Sequence, residues 1–266
     1  MIPGEHRSEK GRIFGCCLRG FDYSFQQTTM KKAISLSVFM AFAAMSVSMA
    51  QDADKILDKH FRAIGQDKLS KIKTIDARGS ASMMGMSTGI HMMAKRPHKL
   101  RMVIELQGME IITGYDGKTA WTINPMTGSS VPVAMSGAEA DGFMESADMD
   151  GKLWDYAQKG HKVELVGEED VHGKASYVLK LTKAGGDDEK YYIDKESYLI
   201  VMVKATAPVN GTAMEVEAHM SDYKRIEGYM MPMSTTQKVG GQTIMSWTFD
   251  EVRFNTNLDD ALFSME

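Results

Sequence analysis

The stretch 212-TAMEVEAHMS-221 alternates with period two. Met214, Val216, Ala218 and Met220 fall on one side, and Glu215, Glu217 and His219 fall on the other. Successive strand residues point to opposite faces, so this pattern marks a strand with one apolar and one wetted face. It returns in 243-TIMSWTFD-250, where Met245, Trp247 and Phe249 oppose Ser246, Thr248 and Asp250. Tyr177, Leu179 and Leu181 alternate with Lys180 and Thr182 in the same way. Turn signals punctuate the chain at Gly108, Asp116-Gly117, Gly128, His172-Gly173, Gly185-Gly186, Asn210-Gly211, Gly228 and Gly240-Gly241. The reading is mainly β, with about twelve antiparallel strands beginning near Thr74.

Two segments break the alternation. Ile56, Leu57, Phe61 and Ile64 share one side of a helical spacing over Asp54–Ile64, and Gly65 stops it. Residues 135–160 hold Phe143, Met144, Leu153, Trp154 and Tyr156 at irregular spacing among glycines, which predicts one or two short helices. A sheet of some twelve strands with one apolar face curls under its own twist and encloses a trough. The N-terminal helix and the mid-chain insert cover that trough only in part. The insert, with Phe143, Met144, Leu153 and Trp154, reads as a lid.

The N-terminus is a targeting region. Met30-Lys31-Lys32 precedes the apolar run 33-AISLSVFMAFAAMSVSMA-50, with small residues at Ser48 and Ala50. This predicts a signal peptide over 30–50, cleaved after Ala50, and a soluble periplasmic product. Residues 1–29 read as a leader upstream of the true start at Met30, and residues 51–266 as one domain. Cys16 and Cys17 are the two cysteines of the chain, so residues 51–266 carry no thiol chemistry and no lipid-anchor cysteine. Of 31 Lys/Arg and 35 Asp/Glu, six and three lie before Gln51; 25 and 32 remain, a net charge of −7. That balance argues against nucleic acid as a partner.

No catalytic constellation emerges. His60, His91, His98, His161, His172 and His219 show neither HxH nor HExxH spacing, so no metal site is expected. The letters GxSxG occur at Gly85-Met86-Ser87-Thr88-Gly89, but inside a stretch that reads as a β-hairpin and not at the strand-to-helix turn of a nucleophile elbow. Tyr115-Asp116-Gly117-Lys118-Thr119 lacks the first glycine of a phosphate loop and reads as a hairpin turn. Asp187-Asp188-Glu189 and Asp148-Met149-Asp150 read as solvated acidic turns. The expectation is a non-enzymatic protein without a cofactor.

Methionine is the anomaly. Nineteen of 24 methionines follow Ala50, five of them packed into 83–93. Methionine is unbranched and polarisable and adapts to varied partners. Three readings stand: a compositional substitute for leucine, a deformable apolar cavity for acyl chains, and a thioether site for Cu(I). Geometry favours the cavity, lined by Met102, Ile104, Ile111, Trp121, Met214, Val216, Met220, Met231, Met245 and Trp247.

The runs 105-ELQGMEIITGYDGKTAWTINPMTG-128, 159-KGHKVELVGEEDVHGKASYVLKLT-182, 191-YYIDKESYLIVM-202 and 222-DYKRIEGYMMP-232 resemble the LolA/LolB-like lipoprotein-sorting family, in its divergent Bacteroidota type. The resemblance implies an incomplete antiparallel β-barrel, half open, with a helical lid over an apolar cavity. It also implies a monomeric periplasmic carrier of lipid or lipoprotein acyl chains, served by an inner-membrane release complex and an outer-membrane acceptor. A lid-locking arginine belongs to that picture, with Arg101 and Arg78 as candidates. Distant members act as envelope sensors that bind proteins, which is the alternative.

Overall fold

The computed structural model describes residues 52–83, 85–209 and 211–265. The leader, the signal peptide and its cleavage site lie outside these residues, as do Met84 and Asn210. Helix α1 covers 52–64. Gly65, at φ 77°, turns it into the short α2, Gln66–Leu69. Glycine is required there twice over, because a Cβ would also overlap the Gly228 carbonyl oxygen.

Strands β1 (Thr74–Met83), β2 (Met86–Lys95), β3 (Lys99–Leu106), β4 (Met109–Tyr115), β5 (Ala120–Asn124) and β6 (Ser129–Ala134) follow as successive hairpins. Helix α3 (Gly137–Ser146) intervenes. Then come β7 (Lys162–Val171), β8 (Lys174–Thr182), β9 (Asp188–Asp194), β10 (Ile200–Val209), β11 (Thr212–Ile226), β12 (Tyr229–Val239) and β13 (Gln242–Phe254). The spatial order is β6-β5-β4-β3-β2-β1-β13-β12-β11-β10-β9-β8-β7, one curled antiparallel sheet that does not close. There are thirteen strands rather than twelve. The turn between β9 and β10 shows how a boundary escapes notice, since it has no glycine. Asp194 Oδ1 accepts from the Glu196 and Ser197 amides at 3.2 and 2.6 Å, and Tyr198 takes φ 56°.

The helices cover one face of the sheet, here the inner face. Ala53, Ile56 and Leu57 of α1 pack with Leu153 onto Val163, Leu179, Leu181, Tyr191 and Ile193. Leu69, Ala147 and Met149 join a second core on β1–β3, β12 and β13, built from Ile75, Ala77, Ala81, Ile90, Met231, Met233, Phe249 and Phe254. The C-terminal residues 255–265 cross the opposite, outer face, where Leu258 and Phe263 bury Met93.

The lid follows from topology. β6 and β7 are the two sheet edges, so the chain joining them, 135–161, runs from one edge to the other. It is one helix, α3, followed by consecutive turns over 147–160. An ion pair fastens it. Arg96 donates to Asp150 at 2.5 and 2.7 Å, and to the carbonyls of Ile72 and Leu69 at 2.8 and 3.1 Å. Gln66 Nε2 donates to the same Asp150 at 3.1 Å. The Asp150 hydrogen bonds raise the Arg96 pKa above its ordinary value, against the opposing effect of burial. Forked, charge-assisted pairs of this kind hold geometry as well as energy.

Two predictions follow from this packing. β1 bulges between Arg78 and Gly79 against β13, and a Cβ on Gly79 would overlap the Thr248 carbonyl oxygen. Gly79→Ala is therefore expected to cost about 3 kcal/mol, read as a lower urea midpoint at unchanged slope. Asp150→Ala leaves Arg96 without its carboxylate and should cost about 2 kcal/mol. Hydrogen exchange should rise over 137–160 while β11–β13 stay protected; equal loss in both regions would mean the ion pair is not a local fastening.

Candidate functional site

Antiparallel register lines up rows of side chains on the inner face. Ile111, Ile104 and Ile90 form one row. Met102, Met92, Ala77 and Val252 form the next. Ala81, Trp247, Thr235 and Met220 form a third. Met86, Met83, Met245, Gln237 and Ala218 form a fourth, near the hairpin tips. Met102, Ile104, Ile111, Val216, Met220, Met245 and Trp247 are half-buried, and Met214 is 39% exposed at the rim. The rows run across seven strands and are mostly apolar, with Thr235 and Gln237 of β12 as polar members, and the helices leave much of the face uncovered.

Between α1, α2, the lid and β10–β12 lies a cavity of about 310 Å³. Phe61, Ile64, Leu69, Met149, Leu153, Ile200, Met220, Tyr229 and Pro232 form its apolar wall. His60, Gln66, Glu145, Asp148, Asp150 and Lys152 form its polar end. Burial lowers the His60 pKa, and the Nδ1–H donates to the Tyr198 carbonyl at 2.7 Å. Burial pushes the Tyr229 hydroxyl up to about 12. Lys152 pairs with Glu189 at 2.5 Å and with Glu145 at 2.7 Å, while Lys183 reaches Glu145 at 3.1 Å. Burial would raise the Glu145 carboxyl; the hydrogen bonds from Lys152 and Lys183 outweigh it and hold it below its ordinary value. Tyr191 donates to the buried Glu189 at 2.7 Å. These pairs tie α3 and the residue after the lid's first turn to β8 and β9, at the cavity's polar end.

The sequence-derived residues divide. Met220 and Leu153 line the half-open cavity. Met102, Ile104, Ile111, Val216, Met245 and Trp247 share its face beyond the helices, in the rows given above, with Met214 at their margin. Met231 is sealed in the core at 7% exposure and lines no open space. Phe143 packs on the same core, and Met144 is half-exposed on the lid. Trp154 turns away from the cavity and meets Phe61 edge-on, with ring centroids 4.9 Å apart. Trp121 is on the wrong face for a cavity residue. It shares an outer-face row with Gly114, Arg101 and Met93, and its indole N–H donates to the Phe263 carbonyl at 2.8 Å. Its ring occupies the space that a side chain on residue 114 would take. The run 120-AWTIN-124 has too little polar contrast to reveal its buried side.

Arg78 and Arg101 do not lock the lid. Both border an outer-face hollow of about 570 Å³, with Asp76, His91, Glu105 and Glu110. Arg101 donates to the Leu262 carbonyl at 2.7 Å, and Arg78 lies 3.8 Å from Asp76. Arg96, in the turn between β2 and β3, is the arginine that holds the lid, through Asp150. The acidic pair Asp148 and Asp150 is not a solvated turn: Asp150 meets Arg96, and Asp148 meets Lys159 at 2.5 Å. A forked guanidinium partner 54 residues away leaves no local signal in the sequence.

This architecture matches known structures. A LolA superfamily protein from Nitrosomonas europaea aligns with TM-score 0.53 and 14% identity, over 80% of this chain and 97% of its own. A DUF1329 family protein from Desulfovibrio piger aligns with TM-score 0.53 and 14% identity, over 79% and 97%. An outer-membrane lipoprotein-sorting protein domain from Vibrio parahaemolyticus aligns with TM-score 0.52 and 13% identity, over 76% and 95%. Identities this low establish the fold alone. No curated protein sequence matches the chain. A family model whose description reads "Uncharacterized protein" matches residues 104–266, more than half of the chain. The chain belongs to that family, and its fold is the one shared by LolA superfamily and lipoprotein-sorting structures.

Proposed function

We propose that this protein is a non-enzymatic envelope carrier that holds the acyl chains of lipids or lipoproteins against its inner sheet face. The observation that carries the reading is the apolar, methionine-rich face left half-exposed beside a half-open cavity under a fastened lid. At about 310 Å³ the cavity sits at the small end of the usual range for ligand sites. Parting the lid would join it to the rows holding Met102, Met245 and Trp247. Each methylene buried there contributes about 0.8 kcal/mol, so a long chain can offset the association cost. The signal expected over 30–50 supports a periplasmic carrier, one that would work between a membrane complex that releases cargo and an acceptor that receives it. Ion pairs at the lid give such partners something to break, and a ligand shifts the lid only through unequal affinity for its two states.

A second reading has one specific observation behind it. Met86, Met83 and Met245 are direct cross-strand partners on the inner face. Cross-strand neighbours stand about 5 Å apart at Cβ, close enough for thioethers to converge on Cu(I).

Native mass spectrometry of the purified chain, followed by organic extraction, separates the two. Co-purifying acyl lipid is the expected result; bound copper without lipid supports the thioether site and sinks the carrier. Met220→Asp should weaken uptake of a fluorescent fatty acid at least tenfold, with unchanged circular dichroism. Thr248→Asp, on the outer face, should leave uptake intact. Equal effects from both would refute the assigned face.

Acid should loosen the lid through Glu145. Its folded pKa is depressed below 4.5, so its stabilising contribution is present above that value and is lost as pH falls through the folded pKa. Release of bound fatty acid, followed by stopped flow, should therefore accelerate below pH 4.5. Glu145→Gln should release faster at neutral pH and show a flatter acid response.

A further inference from the structure

We infer that the outer face of β8, β11 and β12 holds a site for a phosphate group, on the side of the sheet opposite the trough. A hollow of about 310 Å³ opens there. Its polar lining is His172, Lys174, His219, Ser221, Thr236 and Lys238, with no carboxylate among the lining residues. That is a concentration of donors in a region of net charge −7.

Register explains why the lysines stay free. Glu217 lies directly across from Lys238 and would be its natural partner. Its two oxygens are instead taken by Lys204 at 2.8 Å and by His219 at 3.1 Å. Among the described residues, neither Lys174 nor Lys238 forms an ion pair. The same outer row carries Lys180, Lys190 and Lys204 as successive cross-strand neighbours. Asp188 pairs with Lys180 at 3.3 Å and Glu217 with Lys204 at 2.8 Å, so the carboxylates nearby are engaged along that row and not at Lys174 or Lys238.

The histidines shape the wall. The His219 Nε2–H donates to Glu217, which leaves Nδ1 to accept from His172 Nε2–H at 3.1 Å. Both rings are thereby held at the mouth of the hollow, with centroids 4.9 Å apart. Two histidines this close also invite a divalent metal. The flanking ammonium groups of Lys174 and Lys238 repel a dication and attract a dianion, so phosphate chemistry is favoured. A phosphate offers acceptors for two ammonium groups and for the Ser221 and Thr236 hydroxyls at once. Its source is a soluble phosphate ester or a lipid headgroup.

Isothermal titration of the full chain with inorganic phosphate and with glycerol phosphate tests the site. The expected result is saturable binding that weakens at least tenfold in Lys174→Gln/Lys238→Gln. Lys55→Gln/Lys68→Gln, on exposed lysines of the helices, should leave it unchanged. Equal weakening in both double variants, or no saturable binding, overturns the site. Zinc binding that tightens in the first double variant, with no phosphate binding, overturns it in favour of a metal. Co-sedimentation with phosphatidylglycerol vesicles, against phosphatidylcholine vesicles, assigns the source. Lysine-dependent capture by the anionic vesicles identifies a headgroup, and phosphate binding without capture identifies a soluble ester. Fatty-acid uptake is read separately and is expected to survive these substitutions.

Discussion

The pairing of β1 with β13 is the interaction on which the rest of the molecule depends. Each half of the chain is a run of hairpins, and this one ladder joins them into a single sheet. Because it joins first to last, the chain's middle is left at the two outer edges. The segment between β6 and β7 must then bridge from edge to edge, whatever its own helical propensity. α3 is a poor helix by sequence, with glycines at 137 and 142 and Ser136 making no side-chain cap. It does not need to be a good one, since the connection is imposed from both ends and fixed by Arg96 and Asp150.

That division of labour has a consequence for the interior. The deep core beneath the lid uses Leu, Ile and Phe in tight contact, as in Leu57, Leu179, Leu181 and Ile193. Methionine is absent from that core. It is buried at Met231 and Met233 in the second core and at Met93 and Met202 on the outer face, and it is half-buried at Met83, Met92, Met102, Met220 and Met245 on the inner rows. The half-buried inner methionines are the ones free to repack around a guest.

Much of this was legible from the residues. The alternation in 212–221 assigned the sides of β11 correctly: Val216, Ala218 and Met220 face inward, and Glu217 and His219 face outward. The α1 face, the hairpin turns at glycine and the interrupting insert were equally plain. What failed did so for physical reasons. Trp121 was misplaced because its strand is short and buried on both sides, so hydrophobicity carries no sign there. Arg96 was missed because its partners are distant in sequence and mostly carbonyl groups. His172 and His219 showed no metal or pair spacing, for their 3.1 Å approach is a tertiary contact between the β7–β8 turn and β11, which β9 and β10 separate in the sheet.

The two faces of the sheet end up with separate chemistries, and the C-terminal segment explains how. By burying Met93 and Trp121, residues 255–265 close the outer face over β2–β5, and Asp260 anchors them between Lys95 and Lys99 at 2.7 and 2.9 Å. Those two lysines hold the Asp260 carboxyl down at about 2. Among the described residues, no comparable segment crosses the outer face of β8–β12. That face buries Val178, Tyr192, Val201 and Met202 and carries Lys180, Lys190 and Lys204 in one row, with Asp188 paired to Lys180 and Glu217 to Lys204. Glu217 lies across from Lys238 and is turned toward Lys204 and His219 instead. Lys238 is thus kept available by a hydrogen-bond arrangement, much as the inner methionines are kept available beside a lid.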